Sequence, residues 1–279
     1  MAENFYKYES VGNDFILIDY FYKDAEFVKD KLTNSAWKNF VINACKKHFG
    51  IGADGVLVLI KDSTNNYPEL LIFNADGTQA ETCLNGLRCA ALHLREYHDI
   101  DKIFTFKMGK KFMSCAINKN IITTKIPEII YGGFKNLIIN NKSEISGHIL
   151  NVGNPHFIIS KKVTPDWVEK NGKQIESHET FPNKTNVEFV WPNFDQNKNI
   201  NSKSASNYNV LVYERGVGPT LSCGSGASAV CWFLYKTRKI VISQKITLNF
   251  LGGYINCWVD KNEQVNLQAR AKLVFKGQI

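Results

Sequence analysis

Apolar and polar positions along this chain alternate between a helical rhythm and a strand rhythm. In "TNSAWKNFVINACKKHFG", Trp37, Phe40, Val41, Ala44 and Cys45 fall at i, i+3, i+4, i+7 and i+8, the spacing of one buried helix face. Ser35 or a neighbour is placed to cap the start, Lys46, Lys47 and His48 suit a last turn, and Gly50 an exit. Helices are also expected in "LNGLRCAALHLREY", "TPDWVEKNGKQIESHE" and "GSGASAVCWFLYKTRK"; in the second of these Pro165 falls in the first turn and Gly172 is a weak point. Runs rich in β-branched and aromatic residues read as strands. They are "YESVGNDFILIDY" after its turn, "VLVLI", "YPELLIFNADG" up to its turn, short strands to about residue 126, "HILNVGNPHFIIS" with a turn inside, "NVLVYERG", and the last forty residues. "NNKSEISG" reads as a polar loop, and "NFDQNKNINSKSASNYN" as a polar hairpin loop or flexible excursion. "IPEIIYGG" looks like a change of unit.

The order of landmarks repeats. Gly12-Asn13, Asn74 and Cys83 in the first half answer to Gly153-Asn154, Glu214 and Cys223 in the second. Asn13 to Asn74 is 61 residues and Asn154 to Glu214 is 60; Asn74 to Cys83 and Glu214 to Cys223 are both 9. Each Cys continues as C-x-x-G into a helix of small residues. The ordered series reads as an internal duplication. Two equivalent halves usually pack about a pseudo-twofold axis, and a cleft between them would be flanked by Cys83 and Cys223.

Both thiols are expected at helix N-termini, where backbone N–H groups and the helix dipole favour negative charge. A free thiol has a pKa of about 8.5, and such a position lowers it. The same N–H groups can hold a carboxylate. Two tuned thiols on opposite faces of a carboxylate-bearing carbon suggest proton removal by one and delivery by the other, with inversion of the centre.

Composition narrows the alternatives. The net charge of +8 raises nucleic acid as a partner, but the lysines are scattered and the longest basic groupings are pairs, not a clustered patch. No apolar run approaches the roughly 18 residues of a membrane helix, and "MAENFYKYES" has no signal-peptide core. No membrane association is therefore expected, and the cytoplasm is the expected location. The seven Cys are odd in number and include no C-x-x-C pair, which argues against a disulfide framework and a zinc site. Cys45, Cys89, Cys115, Cys231 and Cys257 read as small apolar groups. "GIGADG" satisfies G-x-G-x-x-G, but it follows a helix and precedes a strand, the reverse of a dinucleotide site. It reads as a loop of close backbone approaches. Neither a cofactor nor a metal is expected.

"GNDF", "GIGADG", "FNADGTQAETCLNGLRC", "VGNPHF", "FPNKTNVEF" and "YERGVGPTLSCGSG" stand in one order along the chain, and in that order the sequence resembles the diaminopimelate epimerase family, cofactor-independent isomerases of lysine biosynthesis. The resemblance implies a mixed α/β (α+β) chain of two similar domains, each a β-barrel-like sheet around a central helix, with the active site in the interdomain cleft. The expected halves are 1–126, completed by a C-terminal strand 268–279, and 127–267. Cys83 and Cys223 match the family's acid/base pair, and His156 and Glu214 match polar residues beside the reacting amino group. Asn13, Asn74, Asn154, Asn186 and Arg215 match substrate-binding residues, including those at the distal amino-acid end. Asn85, Gly224 and Ser225 match the helix-start positions that hold the reacting carboxylate. A homodimer is also implied. Leu84 departs from the family's usual Gly in the substrate-binding loop, and Ser225 replaces a more usual Thr.

Simpler readings exist for single residues. Asn13, Asn74 and Asn154 lie in turn-like stretches, where Asn is common for backbone reasons. His156 could be a satisfied strand-end histidine and Glu214-Arg215 a surface pair. Two other functions compete: a cofactor-independent racemase or epimerase of another amino acid, and a non-catalytic thiol redox or binding protein.

Overall fold

A computed structural model describes residues 3–62, 67–80, 82–100, 103–126, 128–140, 143–193 and 206–279. Most of the polar excursion expected over 193–209 lies outside the described residues. The chain is mixed α+β and divides into two units, one of Met1–Thr124 with Ala269–Ile279 and one of Lys125–Gln268.

Unit 1 opens with the hairpin β1 (Asn4–Ser10) and β2 (Asn13–Asp19), turned by Val11 and Gly12 at positive φ. A short helix α1 (Ala25–Lys31) follows, capped by Asp24. It is absent from the expected elements because seven residues are too few for a periodic signal. Helix α2 (Ser35–Cys45) is capped by Asn34, whose side chain accepts the Trp37 N–H at 2.8 Å. This helix stops at Cys45, so Lys46, Lys47 and His48 lie beyond it and not in its last turn. The carbonyls of Ala44, Cys45 and Lys46 accept instead from the N–H groups of Gly52, Ala53 and Gly50. A Cβ on Gly50 would sit 2.1 Å from the Asn43 carbonyl oxygen. The first glycines of "GIGADG" therefore close a helix end, which needs its orphan carbonyls satisfied.

Strand β3 (Gly55–Lys61) runs parallel to β2 and antiparallel to β4 (Pro68–Asn74), which carries the short β5 (Gln79–Ala80). Helix α3 (Leu84–His98) precedes β6 (Ile103–Met108), β7 (Lys111–Asn118) and β8 (Ile121–Ile126). Strand β6 is parallel to β4, and β7 is antiparallel to both β6 and β8. Strands covered on both faces read as continuous apolar runs, and β2 and β3 show why. Ile16, Ile18, Val56, Val58 and Ile60 pack with Trp37 and Val41 on the α2 side. Leu57 faces the other way, against Gly86 of α3. Helix α3 is buried without a break from Leu84 to Leu94, as a helix enclosed by a sheet must be.

Unit 2 repeats the plan. Strands β9 (Ile130–Ile139) and β10 (Ser143–Asn151) form a hairpin, and β11 (Pro155–Ile159) pairs antiparallel with β10. Helix α4 (Pro165–Glu176), capped by Thr164, crosses to β12 (Asn186–Pro192), parallel to β11. Strand β13 (Asn207–Glu214) returns antiparallel and carries β14 (Gly218–Thr220). Helix α5 (Gly224–Lys236) leads to β15 (Ile246–Phe250), parallel to β13, then β16 (Gly253–Val259) and β17 (Val265–Arg270). The last strand, β18 (Lys272–Gln278), lies antiparallel on β1 as β9 lies on β10. The expected loop "NNKSEISG" is a correction: Ser143–Gly147 belong to β10, where Ile145 and Gly147 are buried and Ser143, Glu144 and Ser146 are exposed. A half-exposed strand with polar outward positions has a loop's composition.

Gly172 is a packing residue of α4. A Cβ there would lie 2.1 Å from the Tyr213 ring. Gly172→Ala ordinarily gains helix propensity of about 1 kcal/mol, but overpacking of about 1–3 kcal/mol outweighs it here. The expected result is a lower Tm in thermal unfolding; a raised Tm would show that the ring and helix are not in contact.

Candidate functional site

Cys83 is the N-cap of α3, in extended backbone with φ −147°. Its Sγ accepts the Gly86 N–H at 3.3 Å and its carbonyl accepts the Leu87 N–H at 2.9 Å. Gly at the third helical position lets the first turn press on Leu57 below. Leu84 opens the helix and is buried; its φ is not positive, so the backbone here does not require the glycine that Leu84 replaces.

A polar lattice surrounds the thiol. Cys83 Sγ lies 3.9 Å from Asn13 Oδ1, which also accepts from Asn85 Nδ2 at 3.3 Å. Asn13 Nδ2 donates to Asp54 Oδ2 at 2.6 Å, and Asp54 exchanges backbone–carboxylate bonds with Asp14 at 3.0 and 3.1 Å. Asp54 belongs to "GIGADG", so the end of that loop fixes Asn13. Asn74 lies in its own turn, its Nδ2 donating to Thr78 Oγ1 at 3.0 Å.

Arg88, one turn into α3, is fully buried. Its Nη2 donates to Asn85 Oδ1, its Nε donates to Ser10 Oγ at 3.0 Å, and its Nη1 has no partner. No carboxylate pairs with it among the described residues. Its nearby ionisable groups are thiols, Cys83 among them.

Cys223 caps α5 in the same way. Its backbone is extended with φ −131°, its Sγ accepts the Gly226 N–H at 3.3 Å, and its carbonyl accepts the Ala227 N–H at 2.9 Å. Behind it runs a chain of hydrogen-bonded side chains. Cys223 Sγ is 3.3 Å from Ser225 Oγ, which accepts from Asn154 Nδ2 at 3.4 Å. Asn154 Oδ1 is 3.0 Å from His156 Nε2, and His156 Nδ1 is 2.7 Å from Glu188 Oε1. His156 and Glu188 are both fully buried, and Glu188 Oε2 has no partner. Burial pushes the Cys223 thiol well up, and the carboxylates of Glu214 and Glu188 add to the rise.

Glu214 accepts from Thr220 Oγ1 at 2.6 Å. Asn186 Nδ2 donates to the Pro155 carbonyl at 2.8 Å while its Oδ1 accepts the Arg215 N–H at 3.0 Å. The Arg215 side chain is exposed, with Nη1 3.4 Å from the Asn183 carbonyl. Gly224 begins α5.

Strand register exposes an asymmetry within the repeat. Phe15 pairs with Gly55 across β2 and β3, and His156 pairs with Asn186 across β11 and β12. Two residues further on, Leu57 and Glu188 each face the glycine three residues after their unit's cysteine. So unit 2 puts a buried His–Glu pair where unit 1 has Phe15 and Leu57. Conversely, unit 1 has Arg88 where unit 2 has Ser228, whose hydroxyl folds back on the Gly224 carbonyl at 3.0 Å. One thiol is backed by a cation and the other by carboxylates. Asp54, Arg88 and Glu188 are missing from the sequence-based set, although each stands inside a quoted motif. None of the seven cysteines is in a disulfide. Burial pushes Cys45 to about 11 and Cys115 to about 12 and raises Cys89 and Cys257, which suits inert packing thiols.

The family profile described as "Diaminopimelate epimerase" matches residues 5–121 and 148–273. A diaminopimelate epimerase of Prochlorococcus marinus is 32% identical over 300 residues, covering 100% of this chain and 99% of its own. One from Elusimicrobium minutum is 33% identical over 305 residues, covering 98% of each. Among solved structures, a probable proline racemase from Agrobacterium radiobacter superposes with a TM-score of 0.73 at 9% identity, over 99% of this chain and 92% of that one; that likeness is one of fold.

Proposed function

The chain belongs to the diaminopimelate epimerase family, and from that premise we propose that it converts LL-diaminopimelate to the meso isomer, with Cys83 and Cys223 carrying the protons. The observation that bears most weight is the matched pair of thiol caps. Each Sγ stands 3.3 Å from a first-turn N–H of a buried helix. A helix start favours negative charge, which at Cys223 is opposed by burial and two carboxylates, and the reading places the reacting carboxylate at the helix-start positions Asn85, Gly224 and Ser225.

In this reading a thiolate removes the α-proton and the opposed thiol delivers a proton to the other face. Fixed N–H donors stabilise the charge that moves onto the carboxylate as the proton leaves. The buried asymmetry sets the resting state. The Arg88 cation favours thiolate at Cys83, and Glu188 and Glu214 keep Cys223 protonated. The roles exchange in the reverse direction. His156 acts as a positioning residue, orienting Asn154 and through it Ser225. The exposed Arg215, held through its backbone by Asn186, suits the distal carboxylate of a diamino diacid, and Asn13, Asn74 and Glu214 suit its polar contacts. No helix among the described residues is long and apolar enough to cross a membrane. A homodimer, from the family resemblance, and a cytoplasmic location, from the sequence, complete the reading.

Reduced protein incubated with LL-diaminopimelate in heavy water, without added cofactor, is expected to yield meso isomer carrying solvent deuterium at the α-carbon. If folded, reduced protein gives neither conversion nor exchange, the substrate assignment is wrong, and a panel of other amino acids becomes the next test.

A further inference from the structure

Three metal-ligand side chains meet at the far end of α3 from Cys83. With 15 residues in α3 at a rise of 1.5 Å, the two ends are about 22 Å apart. Asp19 ends β2, His93 lies in the penultimate turn of α3, and His98 is its last residue. Asp19 Oδ2 is 3.0 Å from His93 Nε2 and 2.8 Å from His98 Nε2. Their ligand atoms all lie within 4.8 Å of one another. Both imidazoles are buried, whereas the Asp19 side chain keeps 19% exposure, a path for solvent.

The surroundings fix each donor. Asp19 Oδ1 accepts the Phe21 N–H at 2.9 Å, leaving Oδ2 to face the rings. Tyr8 donates its single hydroxyl proton to Glu96 Oε2 at 3.3 Å. Its oxygen also lies 3.1 Å from His93 Nδ1. With the Tyr8 oxygen on the Nδ1 side of the ring, Nε2 is the His93 atom that faces the Asp19 carboxylate, 3.0 Å from Oδ2. A cation seated there would take the place of the proton between ring and carboxylate, as it would between His98 Nε2 and the same Oδ2. A metal-ligating histidine is usually held by an oxygen on its other ring nitrogen, and for His93 that oxygen is the Tyr8 hydroxyl. The Nδ1 atom of His98 is buried without a partner, so this ring is oriented through Nε2 alone. The C-terminal end of a helix also favours a cation.

We propose that Asp19, His93 and His98 form a binding site for a zinc-class divalent cation, completed by solvent, that ties β2 to the end of α3. Two imidazole nitrogens and one carboxylate oxygen suit zinc or cobalt and not magnesium or calcium. The site lies apart from the proposed proton-transfer groups, so its presence is read without reference to turnover.

The decisive probe is cobalt(II) added to reduced protein, because cobalt reports its ligands optically. One saturable equivalent is expected, with tetrahedral ligand-field bands and no thiolate charge-transfer band, displaced by zinc. Asp19→Asn and His98→Gln, checked for fold by circular dichroism, are expected to lower the affinity at least about a hundredfold. Tyr8→Phe, which keeps all three ligands and loses only their support, is expected to lower it about tenfold. Cobalt bound only through thiolate, no saturable binding, or an equivalent that survives both ligand substitutions would overturn the assignment.

Discussion

Cys223→Ala abolishes inversion yet leaves half of the proton chemistry in place. With Cys83 intact, the stereoisomer whose α-hydrogen faces that thiolate still exchanges it with solvent and recaptures deuterium on the same face. The opposite isomer neither exchanges nor inverts. Cys83→Ala gives the mirror result. The loss of inversion is expected at about 10²–10⁴-fold or more, the usual worth of a positioned acid or base. Chiral chromatography and mass spectrometry in heavy water separate the two outcomes for each isomer. Inversion retained in either variant would remove that thiol from the mechanism. Loss of all exchange from both isomers in both variants would indicate a concerted process that needs the two thiols together.

Arg88→Met carries the second-largest effect, and its interest lies in what it spares. Arg88 is a fully enclosed cation with one nitrogen unpaired and, among the described residues, no carboxylate paired with it. Replacing a buried charge by an apolar residue of similar size is often neutral or stabilising. Against this stand the hydrogen bonds from the charged guanidinium lost at Asn85 and Ser10, about 1.5–3 kcal/mol each. Stability is therefore expected to change modestly. Thiolate formation at Cys83 is expected to move to higher pH, the effect of losing a nearby opposite charge. At neutral pH the thiolate fraction, and with it kcat, falls by about tenfold or more. Alkylation of Cys83 as a function of pH, measured in a Cys223→Ala background, follows that shift directly. An unmoved alkylation profile together with lowered stability would make Arg88 a structural residue only.

Helices came through wherever an apolar face ran for three turns or more. The caps of α3 and α5 were legible for a local reason: a cysteine followed three residues later by glycine supplies a thiol acceptor and an unobstructed N–H within one turn. Helix α1 was too short to show a period, and Ser143–Gly147 had a strand's pairing with a loop's composition. The buried charges were the harder omission. Arg88 stands among small and apolar residues on α3, and Glu188 stands inside "NVEFV"; a lone charge in either setting reads as a solvated position. What encloses them is contributed by strands remote in sequence, such as β1, whose Ser10 hydroxyl takes the Arg88 Nε. His93 and His98 were illegible as a pair for a related reason, because they converge only through Asp19, on another element. The glycines of "GIGADG" show a motif whose letters fit one function while their place, after a helix, serves another: Gly50 and Gly52 close α2 and Asp54 holds Asn13.

Strand β18 lies against β1, the two running antiparallel from Asn4 with Gln278 to Glu9 with Lys272. During vectorial synthesis the first unit to leave the ribosome is thus left with an open strand edge until the last strand of the chain arrives. The second unit, Lys125–Gln268, has all of its residues to hand before that moment and can close earlier, although it is made later. The interval exposes β1 to pairing with other nascent chains. Lys7 near the middle of that strand, its ammonium paired with Asp14 at 2.6 Å, puts a charge into the segment that waits longest for its neighbour.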